Sequence, residues 1–260
     1  MPTAQEKIVP APILEIADEY AESKRTVTFQ ITAGLIDGMV IASDRAERHV
    51  SDDEKYCVTN LVEKIRIDLS GQFAWAYSGG LVAPMFSVEL AENMRALHST
   101  GSPISRSDAE KAIMDCFDQV WQKWQPQAKG PTQCTLVVAC GKTKEILRWS
   151  LNRPTEVELM GSPCFSGQEF NLSAFLPKYL YSPEMTVSEF AYLAAHSIRG
   201  GHDLDSAMID GLDIAAYRDA TGRFEFLDPA FYWQEALVFN SQLRQVLKQR
   251  APLVSHHLKT

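Results

Sequence analysis

Nowhere does the chain string together enough apolar side chains to cross a bilayer. Its N-terminus lacks a basic region followed by an apolar block, so no secretory signal is expected. Base is scarce relative to acid, 25 residues against 33, which leaves a net charge of -8. That sign gives no attraction to phosphate backbones or anionic headgroups and argues against nucleic acid and membranes as partners. The five cysteines, Cys57, Cys116, Cys134, Cys140 and Cys164, contain no CxxC pair, and an odd number suits a reducing compartment. Together these absences predict a cytoplasmic protein. No solenoid-length repeat and no low-complexity tract is found. His202 stands near Asp203 and Asp205, but one histidine with two carboxylates and no second cluster predicts no metal, and no cofactor is expected.

What remains is an ordinary globular composition, 45% hydrophobic and 22% charged, over 260 residues, near the upper end for one α/β domain. Residues 1–25 read as a leader, loosened by Pro2, Pro10 and Pro12 and carrying a short acidic helix over Ile13–Glu22. Residues 26–260 read as one domain. From Thr26 to Thr32 apolar Val27, Phe29 and Ile31 alternate with Thr26, Thr28, Gln30 and Thr32, the period of a half-buried strand. Ala33-Gly34 and Asp37-Gly38 are turn chemistry, so a hairpin to a strand over 39–43 is expected, ending at Asp44. Residues 45–61 are charged and irregular and read as an exposed loop or broken strand. A second hairpin pairs the 64–69 alternation with Phe73, Trp75 and Tyr77 around Ser70-Gly71.

Two helices follow. The first, over about 81–98, has an expected apolar face of Leu81, Met85, Val88, Ala91 and Met94. The second opens on a capping box at Ser107-Asp108-Ala109-Glu110, and its aromatics read as core. Strands return at Cys134–Cys140, Glu145–Ser150 and near Val157, and 168–180 is helical or irregular. A capped helix runs from Thr186 to about Ser197, strands cover Leu212–Tyr217 and Arg223–Leu227, and a helix covers about 232–249. This order departs from strict βαβ alternation. It predicts an α+β fold in which two antiparallel sheets stack face to face with helices on their outer faces.

Thr28, Asp44 and Lys64, with the Val62-Glu63-Lys64-Ile65-Arg66 segment, give this pattern a chemical meaning. The separation 44 − 28 = 16 and the aromatic strand running into Ser78-Gly79-Gly80-Leu81-Val82-Ala83 resemble the β-type subunits of the proteasome, closest to the bacterial proteasome-like peptidases. The resemblance spans roughly residues 26–227. It implies the four-layer αββα fold of N-terminal-nucleophile hydrolases, a homo-oligomeric ring, a peptide or unfolded-protein substrate and an ATPase unfoldase as partner. It also implies roles. Thr28 matches the nucleophile, freed by removal of the leader. Lys64 matches the lysine that lowers the pKa of the terminal amine, and Asp44 matches the carboxylate paired with that lysine. Ser166 matches a serine near the amine, Asp205 a supporting aspartate, and Gly79 or Gly80 a backbone donor to an oxyanion.

The chemistry is coherent with those assignments. A threonine hydroxyl needs a base, and its own α-amine supplies one that titrates near neutrality, at about 7.7–8.0 when unperturbed. A nearby ammonium disfavours protonation of that amine. Three features keep a second reading open, that of a non-catalytic ring subunit with a permanent N-terminal helix: Thr28 follows β-branched Val27, 64 − 28 = 36 is a long spacing, and Asp205 leads into Ser206-Ala207-Met208 rather than Ser-Gly-Gly. A third, an unrelated small-molecule-binding α+β protein, stands behind both.

Overall fold

A computed structural model describes residues 28–50, 57–80, 82–101, 103–124, 134–167, 172–204, 209–239, 241–242 and 245. The first strands are β1 (Phe29–Leu35), β2 (Gly38–Ser43), β3 (Ala46–Val50), β4 (Cys57–Leu61), β5 (Ile65–Ile67) and β6 (Phe73–Gly79). Helices α1 (Ala83–Ser99) and α2 (Arg106–Trp124) follow, then β7 (Cys134–Cys140), β8 (Glu145–Ser150), β9 (Arg153–Met160) and β10 (Cys164–Gly167). The chain continues through α3 (Leu172–Leu180), α4 (Val187–Leu204), β11 (Asp213–Arg218) and β12 (Arg223–Phe226). A helical run over 229–239 comes next.

Two five-stranded antiparallel sheets carry the architecture, ordered β10-β1-β2-β11-β12 and β5-β6-β7-β8-β9. Three apolar layers hold them. Phe29, Ile31, Val40 and Ile214 of the first sheet pack against Phe190, Ala194 and Ile198 of α4. Trp75, Leu136 and Trp149 of the second pack against Phe86 and Leu90 of α1 and Ile113 of α2. Met39, Ile41, Val137, Ile146 and Ala215 fill the space between the sheets. The order of layers is therefore helix, sheet, sheet, helix, the α+β sandwich that the sequence predicts.

Several local expectations are corrected. β1 starts at Phe29 and runs through Ala33 and Gly34, so the hairpin turn is Ile36-Asp37, between Leu35 and its partner Gly38. Both faces of β1 are buried, because its polar side, Gln30 and Thr32, turns toward the second sheet and not toward water. The region expected to be irregular contains the antiparallel pair β3–β4, with residues 51–56 outside those described. The buried face of α1 is Ala83, Phe86, Ser87, Leu90 and Met94, a rotation from the expected stripe that leaves Val88 exposed. Ser87 disguised it: a polar residue sits on the core side because its hydroxyl accepts the Trp75 indole N–H at 3.1 Å. The N-terminus of α2 is closed two residues earlier than expected, by reciprocal bonds between Ser105 and Asp108 (Ser105 N to Asp108 Oδ2, 2.8 Å; Asp108 N to Ser105 Oγ, 3.2 Å). His202 and Asp203 lie in α4, which runs past Ser197, and not in a loop. The expected leader, its helix and Asp205 all lie outside the described residues.

Candidate active site

Thr28 is the residue just ahead of β1, on the side of the strand that faces the second sheet. The β1–β2 hairpin brings Asp44, the first residue after β2, back to it. The Asp44 N–H donates to the Phe29 carbonyl at 3.1 Å, and the Phe29 N–H donates to Asp44 Oδ1 at 2.7 Å. Lys64 arrives from the other sheet, immediately before β5. The site is therefore assembled at one end of the sandwich, from both of its sheets.

The ammonium of Lys64 has three protons and finds three acceptors. They are Thr28 Oγ1 at 3.0 Å, Asp44 Oδ2 at 3.2 Å and the Ala46 carbonyl. Asp44 Oδ2 also accepts the Ala46 N–H at 2.9 Å. Thr28, Asp44 and Lys64 are 4%, 0% and 2% exposed, so this charge pair operates away from water, where electrostatic effects are large. Burial pushes the Asp44 carboxyl up from 3.8 to about 6, against the downward pull of the Lys64 charge and of its hydrogen bonds. At neutral pH the carboxylate form still dominates. The lysine, with all its protons engaged, is a donor to the Thr28 oxygen and favours negative charge developing there.

Ser166 lies on β10, in register with Gln30 of β1, and its hydroxyl meets that of Ser78 at 2.8 Å. Its hydroxyl therefore bonds to the β6 side. Gly167, which follows it, adopts φ +83, and a Cβ there would lie 1.7 Å from the Thr28 carbonyl oxygen. No side chain fits between β10 and the backbone of Thr28. Gly167→Ala is therefore expected to destabilise the fold by about 2 kcal/mol or more, through forced backbone strain and a displaced Thr28, measurable by urea denaturation. Gly79 ends β6 at φ 129, and the Gly80 carbonyl accepts the Ala83 N–H at the start of α1, at 2.9 Å.

Sequence reasoning missed Asp213. Its Oδ2 accepts the backbone N–H of Lys64 at 2.8 Å, and its Oδ1 lies 3.4 Å from Nε of Arg45. Burial raises its pKa, opposed by the Lys64 N–H and by Arg45. One carboxylate thus ties the residue after Asp44 to the residue that carries the ammonium. A signal was available, since Asp213 interrupts an apolar strand, Leu212-Asp213-Ile214-Ala215. Asp213→Ala leaves the buried Lys64 N–H without its acceptor and the Arg45 guanidinium without its counter-charge. It is expected to cost about 1–3 kcal/mol of stability, read from the denaturation midpoint.

Competing chemistries find less support. Burial pushes the thiols of Cys116 and Cys140 up to about 12, and that of Cys134 upward as well, which makes them poor nucleophiles. Among the described residues no group of three or more His, Cys, Asp or Glu side chains is arranged to hold a metal ion. His202 is engaged instead, with Nδ1 3.0 Å from the Ile209 carbonyl and 3.1 Å from Asp210 Oδ1. None of the helices formed by the described residues is long and apolar enough to cross a membrane.

Comparison with known proteins locates the fold. No protein-family model and no curated protein matches the chain. Solved structures do. Anbu (ancestral beta-subunit) from Yersinia bercovieri superposes with a TM-score of 0.64 at 12% identity, over 85% of this chain and 97% of that one. An Anbu (Gly-1) mutant from Hyphomicrobium sp. strain MC1 gives 0.62 at 14% identity, over 85% and 98%. The helical assembly of the Anbu complex from Pseudomonas aeruginosa gives 0.62 at 13% identity, over 85% and 96%. Identities this low carry the fold and nothing finer. The narrower expectation, a place among the proteasome β-type subunits and bacterial proteasome-like peptidases, is accordingly overturned. What the likeness establishes is the fold alone, a proteasome-related one.

Proposed function

We propose that this chain is a threonine amidohydrolase acting on peptide bonds, with Thr28 as nucleophile once residues 1–27 have been removed. One observation carries the reading: Lys64 Nζ sits 3.0 Å from Thr28 Oγ1 and 3.2 Å from Asp44 Oδ2, all three side chains being buried. A fully bonded ammonium cannot accept the hydroxyl proton. The base must come from elsewhere, and cleavage of the Val27–Thr28 bond creates one on the same residue. The new α-amine takes the proton of Oγ1, and Oγ1 attacks the substrate carbonyl. Lys64 keeps the amine unprotonated near neutral pH and stabilises charge on the oxygen. Collapse of the tetrahedral adduct breaks the C–N bond as the α-ammonium returns its proton to the leaving nitrogen, which releases the amine product and leaves an ester on Thr28 that water hydrolyses. In the same reading Ser166 supplies a hydroxyl near the amine, Gly79 or Gly80 a backbone donor to the oxyanion, and Asp205, outside the described residues, a supporting carboxylate.

The substrate in this reading is a peptide or unfolded protein. A nucleophile only 4% exposed favours an extended chain over a folded surface. Homo-oligomeric assembly, as a ring in this reading, belongs to the proposal; the helical assembly of the Pseudomonas aeruginosa Anbu complex supports association of copies, and an ATPase unfoldase would feed the ring. The bulk of Val27 and the burial of Thr28 favour a second reading, a structural subunit that keeps residues 1–27. Intact mass of the purified protein separates the two. Loss of residues 1–27 together with peptide hydrolysis is expected. A full-length chain inert toward peptides would leave only the structural subunit.

A further inference from the structure

At the other end of the sandwich lies a cleft of ≈ 770 Å³ that the proposed chemistry does not use. Strand β6 connects the two places. Phe73 at its start lines the cleft, while Ser78 near its end meets Ser166, about 17 Å away at the rise of a strand. The floor is apolar and comes from both sheets: Phe73, Cys140 and Tyr217, each 4–5% exposed. Pro103 and Ile104, from the α1–α2 connection, form one wall. The opposite side is braced, because Gly71 accepts the Phe224 N–H at 2.6 Å and Gln72 accepts the Gly141 N–H at 2.8 Å. These bonds tie the β5–β6 turn to both neighbouring turns, so the cleft is built into the fold.

Its rim carries one cation that is free to bind a ligand and a second that is held by carboxylates. Lys142, exposed at the β7–β8 turn, has no ionic partner among the described residues. Arg106 is shared between Glu110 at 2.7 Å and Glu145 at 2.9 Å, surface pairs that an incoming anion can displace at little cost. Asp68, beneath Ser70 and Phe73, is already engaged. It accepts Ser70 N at 3.1 Å, Ser70 Oγ at 2.5 Å, Phe73 N at 2.8 Å and the His98 ring. An incoming anion would find Lys142, Arg106 and the hydroxyl of Thr143. The volume suits a drug-sized molecule, with an apolar body on the floor and a few polar groups to orient it.

We propose that this cleft is a binding site for a small amphipathic anion, an aromatic or aliphatic body carrying one carboxylate, sulfonate or phosphate. The full chain, isotopically labelled, is titrated with 8-anilinonaphthalene-1-sulfonate and separately with inorganic phosphate while amide resonances are followed. The sulfonate is expected to bind one to one and to shift Phe73, Cys140 and Lys142. Phosphate at the same concentration is expected to shift none of them. Lys142→Ala, a surface change that leaves the core intact, is expected to weaken sulfonate binding about tenfold, the scale of one charged hydrogen bond. Arg106→Gln is expected to weaken it as well. Four results overturn the site: no binding, unchanged affinity in Lys142→Ala, phosphate binding as tightly as the sulfonate, or shifts confined to the apolar cleft of Leu176, Tyr192 and Phe239 between α3 and α4.

Discussion

Alanine in place of Lys64 is expected to slow peptide hydrolysis by about 10³-fold, the range seen when a positioned charge-stabilising or proton-transfer group is removed. Two effects combine. The α-amine of processed Thr28 loses the neighbouring cation that keeps it unprotonated, and Oγ1 loses the donor now 3.0 Å away. The same change leaves the Asp44 carboxyl buried without its counter-charge. Its pKa, already about 6, is then expected to climb further, since the Lys64 charge is the largest influence pulling it down. Breaking a buried pair from one side costs about 3–5 kcal/mol. Lys64→Met combined with Asp44→Asn removes both charges, and is expected to regain part of that stability with no return of activity. Recovery of activity in the double variant would show that the pair serves folding alone.

Asp44→Asn is expected to lower activity by about 10²-fold or more and to change the shape of the pH profile. Asp44 acts as the carboxylate, so its contribution to the rate rises as pH climbs through about 6 and is constant above. Stability runs the opposite way for this group. Its folded pKa lies above the ordinary 3.8, so the unfolded chain releases the proton first. The contribution to folding is fully present below 3.8, diminishes as pH rises toward about 6, and stays flat beyond. In Asp44→Asn both slopes vanish, which is read by kcat/KM and by urea midpoints between pH 4 and 8. An acid limb near 6 that persists unchanged in the variant would assign it to another group, the α-amine of Thr28 foremost.

The fold was legible in the sequence where periodicity and turn chemistry agreed. Asp37-Gly38 predicts the first hairpin, and that hairpin is what carries Asp44 back to Thr28. The Ser70-Gly71 turn likewise places Lys64 at the head of the second sheet. Legibility failed where tertiary context overrode pattern. Gln30 and Thr32 look solvated in an alternating strand, yet they are buried because a second sheet covers that face. Ser87 hides the core stripe of α1 until its indole partner is seen. Asp213 escaped because it acts through a backbone N–H 149 positions away, a contact that leaves no trace in side-chain spacing. The constellation of Thr28, Asp44 and Lys64 was readable through resemblance, whereas its geometry, with three acceptors around one ammonium, could come only from the folded chain.

Everything functional depends on whether the Thr28 hydroxyl is activated beside a free amine. A peptide epoxyketone reports on this directly, since it needs a hydroxyl and an α-amine on the same residue to form its stable ring. Mass spectrometry after incubation with the purified protein is expected to find the adduct on an N-terminal Thr28, with labelling slowed severely in Lys64→Ala. Processed protein that stays unlabelled, or that carries the adduct on any other residue, would contradict the account.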